Sequence, residues 1–347
     1  VWPIFAQLRR TLLGGRTSPP PPAGAPSFEA DWAGLLARLG LPPHVLRAVV
    51  ASGSLEPHFQ YRRYHKPKRD GGRREIAEPG PELKQLQYAI ISRYFATEQP
   101  HPAAVAYRPG KSTADHVWAH AGAAVFVVAD VQDFFPNTRA DRIEGWWRER
   151  ADDDTARLLT LLTTDRGGLP QGAPTSPALS NFVNRELDTV LAQRAALTGA
   201  RYTRYCDDLC FSWPAGSGPP GGFEPGVRGA LHEFGYSLHP TKGWRVYDRR
   251  DEPTVTGVVL TRAGGVRLPD HLRRLMRELA RSGDPGAAAR LDGYEGYAAM
   301  VTRDPNRRRA KKTKEKAPRA ARPPRAPLPP RPPRAASESD PDEGIPF

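Results

Sequence analysis

Cysteine is almost missing from this 347-residue chain: there are two, Cys206 and Cys210, in one apolar stretch. That excludes a disulfide-stapled secreted scaffold and makes a reducing, cytoplasmic location the expectation. Both thiols are expected to act as small apolar fillers. Long apolar runs are missing too. None reaches the roughly 18 residues of a membrane span, so no membrane partner is expected. Val1–Arg10 is too short and wrongly flanked for a signal peptide. A first residue of valine leaves open an unconventional start codon or a truncation. Acidic residues are in deficit, 38 against 51 Lys and Arg, for a formal charge of +13. The length suits one large or two medium domains, ample for a core that needs no disulfide or structural metal.

The positive charge is concentrated. Residues 307–334 hold 12 Lys/Arg and one Glu, +11 in all, among Pro and Ala with almost no large apolar side chain. Such a segment cannot offset its ordering entropy by burial, so 307–347 is expected to be a disordered tail, basic and then acidic. Residues 1–306 carry only +6. A mildly basic body with a strongly basic tail suggests a polyanion partner, most simply nucleic acid. A solubility tail would have the same composition, so composition leaves both open.

Periodicity predicts an α+β fold with a small central sheet braced by helices. A Pro/Gly-rich stretch, 14–26, precedes helical patterns at Trp32–Leu39 and Val45–Val50. Tyr61–Glu78 reads as two strands turned by Asp70-Gly71-Gly72. Pro81 opens a helix through Leu83, Leu86, Ile90 and Tyr94. Ala123–Ala129 is a buried strand ending at Asp130, and Tyr202–Trp213 is strand, tight turn, strand. Helices are expected at Leu158–Leu162, Asn181–Leu191, Asp270–Ala280 and Leu291–Val301, and strands at Arg245–Tyr247 and Val255–Leu260.

The informative feature is carboxylates at strand ends. Asp207 and Asp208 sit side by side at the bend of an apolar hairpin, where mutual repulsion costs stability unless a cation neutralises it. If the hairpin pairs with the strand ending at Asp130, hard oxygen ligands converge without His or Cys, which is the environment Mg²⁺ prefers. Two such ions about 3.5–4 Å apart clamp an in-line phosphoryl transfer. Alone, an Asp-Asp doublet is usually a solvated turn.

The surrounding residues resemble a bacterial retron-type reverse transcriptase. Tyr205-Cys206-Asp207-Asp208 is similar to the family's Tyr-x-Asp-Asp box, with Cys where retron members usually carry Ala. Asp130-Val-Gln-Asp-Phe-Phe-Pro-Asn137 resembles the box of the first metal-binding aspartate. Leu169-Pro-Gln-Gly-Ala-Pro-Thr-Ser-Pro177 with Leu179-Ser-Asn181 resembles the box that holds the nascent base pair. Lys68-Arg-Asp-Gly-Gly-Arg-Arg-Glu-Ile76 looks like the fingers boxes, and Tyr107-Arg-Pro-Gly-Lys-Ser112 like the block that follows. Five boxes stand in order across residues 60–215. Val255-Thr256-Gly257 matches a retron mark near the thumb boundary. Where the family carries Asn-Ala-x-x-His, this chain has His116-Val117-Trp118-Ala119-His120, so only the final His agrees.

The resemblance implies a right-hand polymerase. Its parts would be an N-terminal segment and linker at 1–26, N-terminal helices and fingers at 27–125, a palm at 126–250 and a short helical thumb at 251–306. It implies Asp130, Asp207 and Asp208 as catalytic ligands of two Mg²⁺ ions. Lys68 and Arg74 would meet the incoming triphosphate, Phe135 would exclude a ribose 2′-OH, and Gln171 would lie at the nascent pair. Lys242 would be the general acid for pyrophosphate, and Val255, Thr256 and Gly257 would bind RNA. The implied partners are a cognate structured non-coding RNA as template and primer, dNTPs, the RNA–DNA hybrid and an effector protein. The implied product is DNA extended from an RNA 2′-OH, a branched hybrid (msDNA) used in antiphage defence. Another bacterial reverse transcriptase, defence-associated or group II intron-like, and a catalytically idle RNA-binding scaffold are the competing readings. No maturase or endonuclease pattern follows the boxes.

Other patterns mislead. Pro109-Gly110-Lys111-Ser112 lacks the glycine that a phosphate loop needs at position 105, which is Val105. His116 and His120 have metal-ligand spacing, but no Glu or Cys completes a site, so packing or hydrogen bonding is expected. The run Pro323–Pro333 reads as a polyproline linker.

Overall fold

The computed structural model describes residues 61–67 and 71–305. The expectations for the N-terminal linker and helices, for Lys68 and for the tail lie outside the described residues. Strands β1 (Tyr61–Pro67) and β2 (Arg73–Pro79) form an antiparallel pair with Pro67 opposite Arg73. Of the predicted turn, Gly71 is described and lies in the left-handed region at φ 84°. Helix α1 (Pro81–Ile90) buries Leu83, Leu86 and Ile90 and runs into a π-helical turn, Ile91–Phe95. Helix α2 (Thr113–His120) starts at Ser112, whose N–H and hydroxyl both donate to Asp115.

Strand β3 (Val125–Asp130) is followed by α3 (Phe134–Asn137), α4 (Ala140–Arg148), α5 (Asp153–Thr163), α6 (Ser176–Val183) and α7 (Arg185–Leu197). Then come β4 (Arg201–Tyr205), β5 (Asp208–Trp213), α8 (Phe223–Glu233) and β6 (Arg245–Asp248). The four-stranded sheet has the order β4-β5-β3-β6, with every neighbouring pair antiparallel. Beyond it lie a small sheet, β7 (Thr254–Val255), β8 (Val258–Leu260) and β9 (Val266–Arg267), and two helices, α9 (Asp270–Arg281) and α10 (Pro285–Thr302).

The central sheet is covered on both faces. Val127, Ala129, Leu209, Phe211 and Trp213 face the main core with α4 to α8. Phe126 and Cys210 face a second cluster with Val117 of α2, Val255, Val258 and Leu260 of the small sheet, and Val301 of α10. Burial on two sides is why β3 reads as an unbroken apolar run instead of alternating.

Three expectations need correction. Asn181–Leu191 is not one helix: the chain breaks at Asn184, whose buried amide donates to the Ser180 carbonyl and the Tyr236 hydroxyl. Val255–Leu260 is not one strand, because it turns back at Thr256-Gly257. Helices α2, α3, α4 and α8 were not anticipated. In α4 a narrow stripe, Ile143, Trp146 and Trp147, carries all the burial among charged neighbours. Among the described residues no helix is long and apolar enough to cross a membrane.

Candidate active site

Strand register brings the predicted carboxylates together. Asp130, the last residue of β3, stands directly opposite Asp208, the first of β5. Directly opposed residues project from the same face with Cβ atoms about 5 Å apart. On the other side Tyr205 pairs with Asp208, leaving Cys206-Asp207 as a two-residue turn, with Cys206 left-handed at φ 60°. The Asp207 carbonyl accepts from the Val131 N–H at 3.0 Å, tying this turn to the chain just past Asp130. On the far side the Asp130 carbonyl accepts from the His239 N–H at 2.8 Å.

Asp208 is pushed up to about 7, first by burial, then by the negative charges of Asp207 and Asp130, while the bond from Thr256 opposes the rise. A carboxyl so crowded gives up its proton more readily once a cation arrives. The donor set fits a hard divalent ion, because it is all carboxylate oxygen. Among the described residues no three His, Cys, Asp or Glu side chains are gathered tightly enough to enclose one. The arrangement is therefore a pair on one sheet face, with Asp207 on the adjoining turn.

Two buried polar networks hold the turn. On the main-core face Arg204 and Asp188, both fully buried, form a two-pronged ion pair at 2.8 and 2.6 Å, and Tyr202 donates to the same carboxylate at 2.9 Å. The Arg204 guanidinium also donates to the Cys206 carbonyl at 3.1 Å, gripping the strained residue. On the other face His120 bridges Ser212 and Thr203 at 2.7 and 2.8 Å, and His116 meets Thr203 at 2.7 Å. Burial holds His116 down at about 3 and keeps His120 well below the usual imidazole range, so both are neutral. They are structural, as expected. Cys206 and Cys210 are buried free thiols, raised well above the ordinary value chiefly by burial.

The remaining motif residues form a chain of contacts leading to the turn. The Ala77 N–H of β2 donates to the Gln171 carbonyl at 2.9 Å, fastening the hairpin that carries Arg74 to the Gln171 loop. Two residues earlier, the Leu169 N–H donates to the Phe135 carbonyl at 3.1 Å. The Phe135 ring is buried and lies 6.2 Å from that of Tyr107, whose hydroxyl donates to Cys206 Sγ at 3.2 Å. Tyr107 opens the Tyr107–Ser112 block but was given no role of its own in the sequence; it is 46% exposed and left-handed at φ 59°. Gly172 permits a close approach of its loop to β2: a Cβ there would stand 2.7 Å from the Ala77 carbonyl oxygen.

Arg74 is exposed on β2 and Lys242 is half-buried beyond the segment flanking Asp130. In the retron-like tripeptide Val255 is fully buried in the second cluster, so only Thr256 and Gly257 are open to a ligand. These two form the turn of the β7–β8 hairpin, both left-handed at φ 45° and 78°. Thr256 Oγ1 donates to Asp208 Oδ2 at 3.1 Å. A β-branched residue in that region is strained, and this bond helps hold it there. Periodicity carried no signal for the Thr256–Asp208 link.

The family profile described as reverse transcriptase (RNA-dependent DNA polymerase) matches residues 66–242, just over half of the chain. The retron Mx162 reverse transcriptase of Myxococcus xanthus is 33% identical over 81% of this chain and 66% of its own length. The retron Mx65 reverse transcriptase of the same organism is 31% identical over 80% of this chain and 70% of its own. The retron Ec86 reverse transcriptase of Escherichia coli is 28% identical over 58% and 64%. The chain thus spans about two thirds of the length of these relatives. A solved apo telomerase from Candida Tropicalis, truncated from its C-terminal domain, aligns at a TM-score of 0.43 with 11% identity over 61% of this chain and 55% of that one. That likeness is too distant to bear on the fold. The carboxylate register, the order of the boxes and the retron relatives agree: the chain belongs to the reverse transcriptase family, in its bacterial retron type.

Proposed function

We propose that this protein is the RNA-directed DNA polymerase of a retron. It copies a cognate structured non-coding RNA from a 2′-OH within that RNA, giving a branched RNA–DNA product that serves antiphage defence with an effector protein. The observation that carries the polymerase reading is the register of Asp130 against Asp208, with Asp207 on the adjoining turn. The retron relatives support the choice of template.

In this reading the three carboxylates hold two Mg²⁺ ions. When bound, the ions supply charge stabilisation for the attacking and leaving oxygens of an in-line transfer. The chain's own residues do the rest. Lys68 and Arg74, flanking the β1–β2 turn, meet the triphosphate. Phe135, buried and braced by Tyr107, occupies the space a ribose 2′-OH would need. Gln171, anchored through its carbonyl to β2, presents its loop to the nascent pair. Lys242 protonates the leaving pyrophosphate. Thr256 and Gly257 touch the RNA from the β7–β8 turn. The fingers are residues 27–125, the palm 126–250 and the thumb 251–306.

The test is the nucleic acid that co-purifies with the wild type and with the variant Asp207→Ala/Asp208→Ala. The expected result is a short discrete DNA in the wild type alone, joined to RNA by a branch that survives DNase. Unbranched DNA lost in the variant would keep the polymerase and remove the retron assignment. RNA alone, identical in both preparations, would overturn both in favour of an RNA-binding scaffold.

A further inference from the structure

Beside the carboxylates lies a cavity of about 480 Å³, of which the reaction as described uses only the Thr256–Gly257 edge. That volume is within the ~300–1,000 Å³ range of ligand sites. One end is closed by Thr256 and Gly257, the turn whose threonine hydroxyl also donates to Asp208. Another wall is His271, exposed at the start of α9. The third wall is one face of α10: Arg290, Gly293, Tyr294 and Tyr297 stand at i, i+3, i+4 and i+7, the spacing of a single helical stripe.

The chemistry of these walls is specific. Two tyrosine rings on adjacent turns offer an aromatic surface, and Gly293, one turn before Tyr297, lets a flat group approach the helix backbone. Arg290 is exposed and has no carboxylate partner among the described residues. Arg274, Arg277 and Arg281 extend the positive charge along the exposed side of α9. Aromatic rings beside an unpaired guanidinium suit a base that has left its stack together with its phosphate. A regular duplex has no free base to insert.

We infer that this cavity captures one unstacked nucleotide of the RNA strand, with the base against Tyr294 and Tyr297 and its phosphate at Arg290. Resting on the reverse-transcriptase reading, the inference adds that the pocket anchors the RNA one residue's contact away from Asp208. The nucleotide is held by α10 and the β7–β8 turn, so its strand is registered relative to the carboxylates without base pairing.

The structure supplies a clean pair of variants. A Cβ at Gly293 meets nothing within 4 Å and would enter the cavity, whereas a Cβ at Gly296 also meets nothing but lies off the lining. Gly293→Leu and Gly296→Leu should therefore both fold, and replacing a helical glycine favours the helix. The probes are 12-nucleotide single strands carrying one 5-iodouridine, the same strands as DNA with 5-iododeoxyuridine, and a blunt RNA duplex. In the full chain, ultraviolet crosslinking of the RNA strand should map to Tyr294 or Tyr297. Gly293→Leu should weaken its binding roughly tenfold or more, and Gly296→Leu should leave it unchanged. Equal affinity of Gly293→Leu and wild type, crosslinks elsewhere, an equal loss on the duplex, or capture of the DNA strand alone would each overturn the inference. Extension of oligo(dT) on poly(rA) by the wild type tests the polymerase reading separately. Its failure sinks that reading, while extension with unaltered Gly293→Leu binding sinks only the pocket.

Discussion

Asp208 is a carboxylate placed where burial and two other negative charges disfavour its ionised form. Its folded pKa of about 7 lies above the ordinary 3.8. The stability it contributes is therefore full below pH ~4 and is lost as the pH rises through 7. In EDTA, Asp208→Asn should stabilise the fold relative to wild type at pH 8 by about 1–3 kcal/mol, seen as a raised melting temperature, and change it little at pH 4. The same variant should abolish primer extension. A melting difference that does not change with pH would show that Asp208 is not the strained group. Arg204 and Asp188 make the opposite case, a charge pair fully buried and fully satisfied. Asp188→Asn leaves the guanidinium without its counter-charge and should cost about 3–5 kcal/mol in denaturant titrations. Arg204→Met with Asp188→Leu should recover much of that loss, whereas a double variant as unstable as the single one would contradict this account.

At the scale of elements, the site depends on how separate hairpins and loops are fastened together. Residue β-propensity marks β3 and β5 as strands but says nothing of the Ala77–Gln171 bond that joins β2 to the loop before α6. Gly172 makes that junction possible. Gly172→Ala would put a methyl 2.7 Å from the Ala77 carbonyl oxygen at φ 136°, where L residues are strained. We expect a loss of about 2–3 kcal/mol in stability and a raised KM for dNTP, because the hairpin bearing Arg74 must move. Steady-state kinetics with a fixed primer–template would reveal it, and an unchanged KM would detach the hairpin from nucleotide binding. The β7–β8 hairpin works in the same way: its two-residue turn puts a strained threonine against Asp208 and closes one end of the cavity beneath α10.

For the whole molecule the governing quantity is charge. The body carries +6 and residues 307–334 carry +11. Neutralising phosphates releases counterions, so affinity for single strands falls with salt by about 0.7 in log–log slope per contact. Deleting residues 307–347 should flatten the salt dependence of RNA binding, measured by anisotropy between 50 and 300 mM salt, where the Debye length falls from about 14 to about 6 Å. It should leave oligo(dT) extension on poly(rA) largely intact. An unchanged slope would make the tail a solubility device.

The amino-acid sequence alone determined the boxes, their order, the strand ending at Asp130 and the hairpin bearing Asp207 and Asp208. Each of these is written in neighbouring residues: a continuous apolar run, a doublet at a bend, a glycine-rich loop. Local periodicity also marked α1, α9 and α10. It could not mark α4, whose stripe is hidden among charges, or the break at Asn184, which depends on Tyr236 far along the chain. Only the tertiary structure decided that Asp130 faces Asp208, that Thr256 touches Asp208 and that Val255 is core instead of contact surface. It likewise decided that Gly172 serves β2 and that Arg204, held by Asp188, braces the Cys206 carbonyl directly. The physical reason is common to all of them. Register, burial and buried ion pairing are relations between residues distant in sequence, set when two faces of one sheet are covered at once, and no local pattern encodes a relation of that kind.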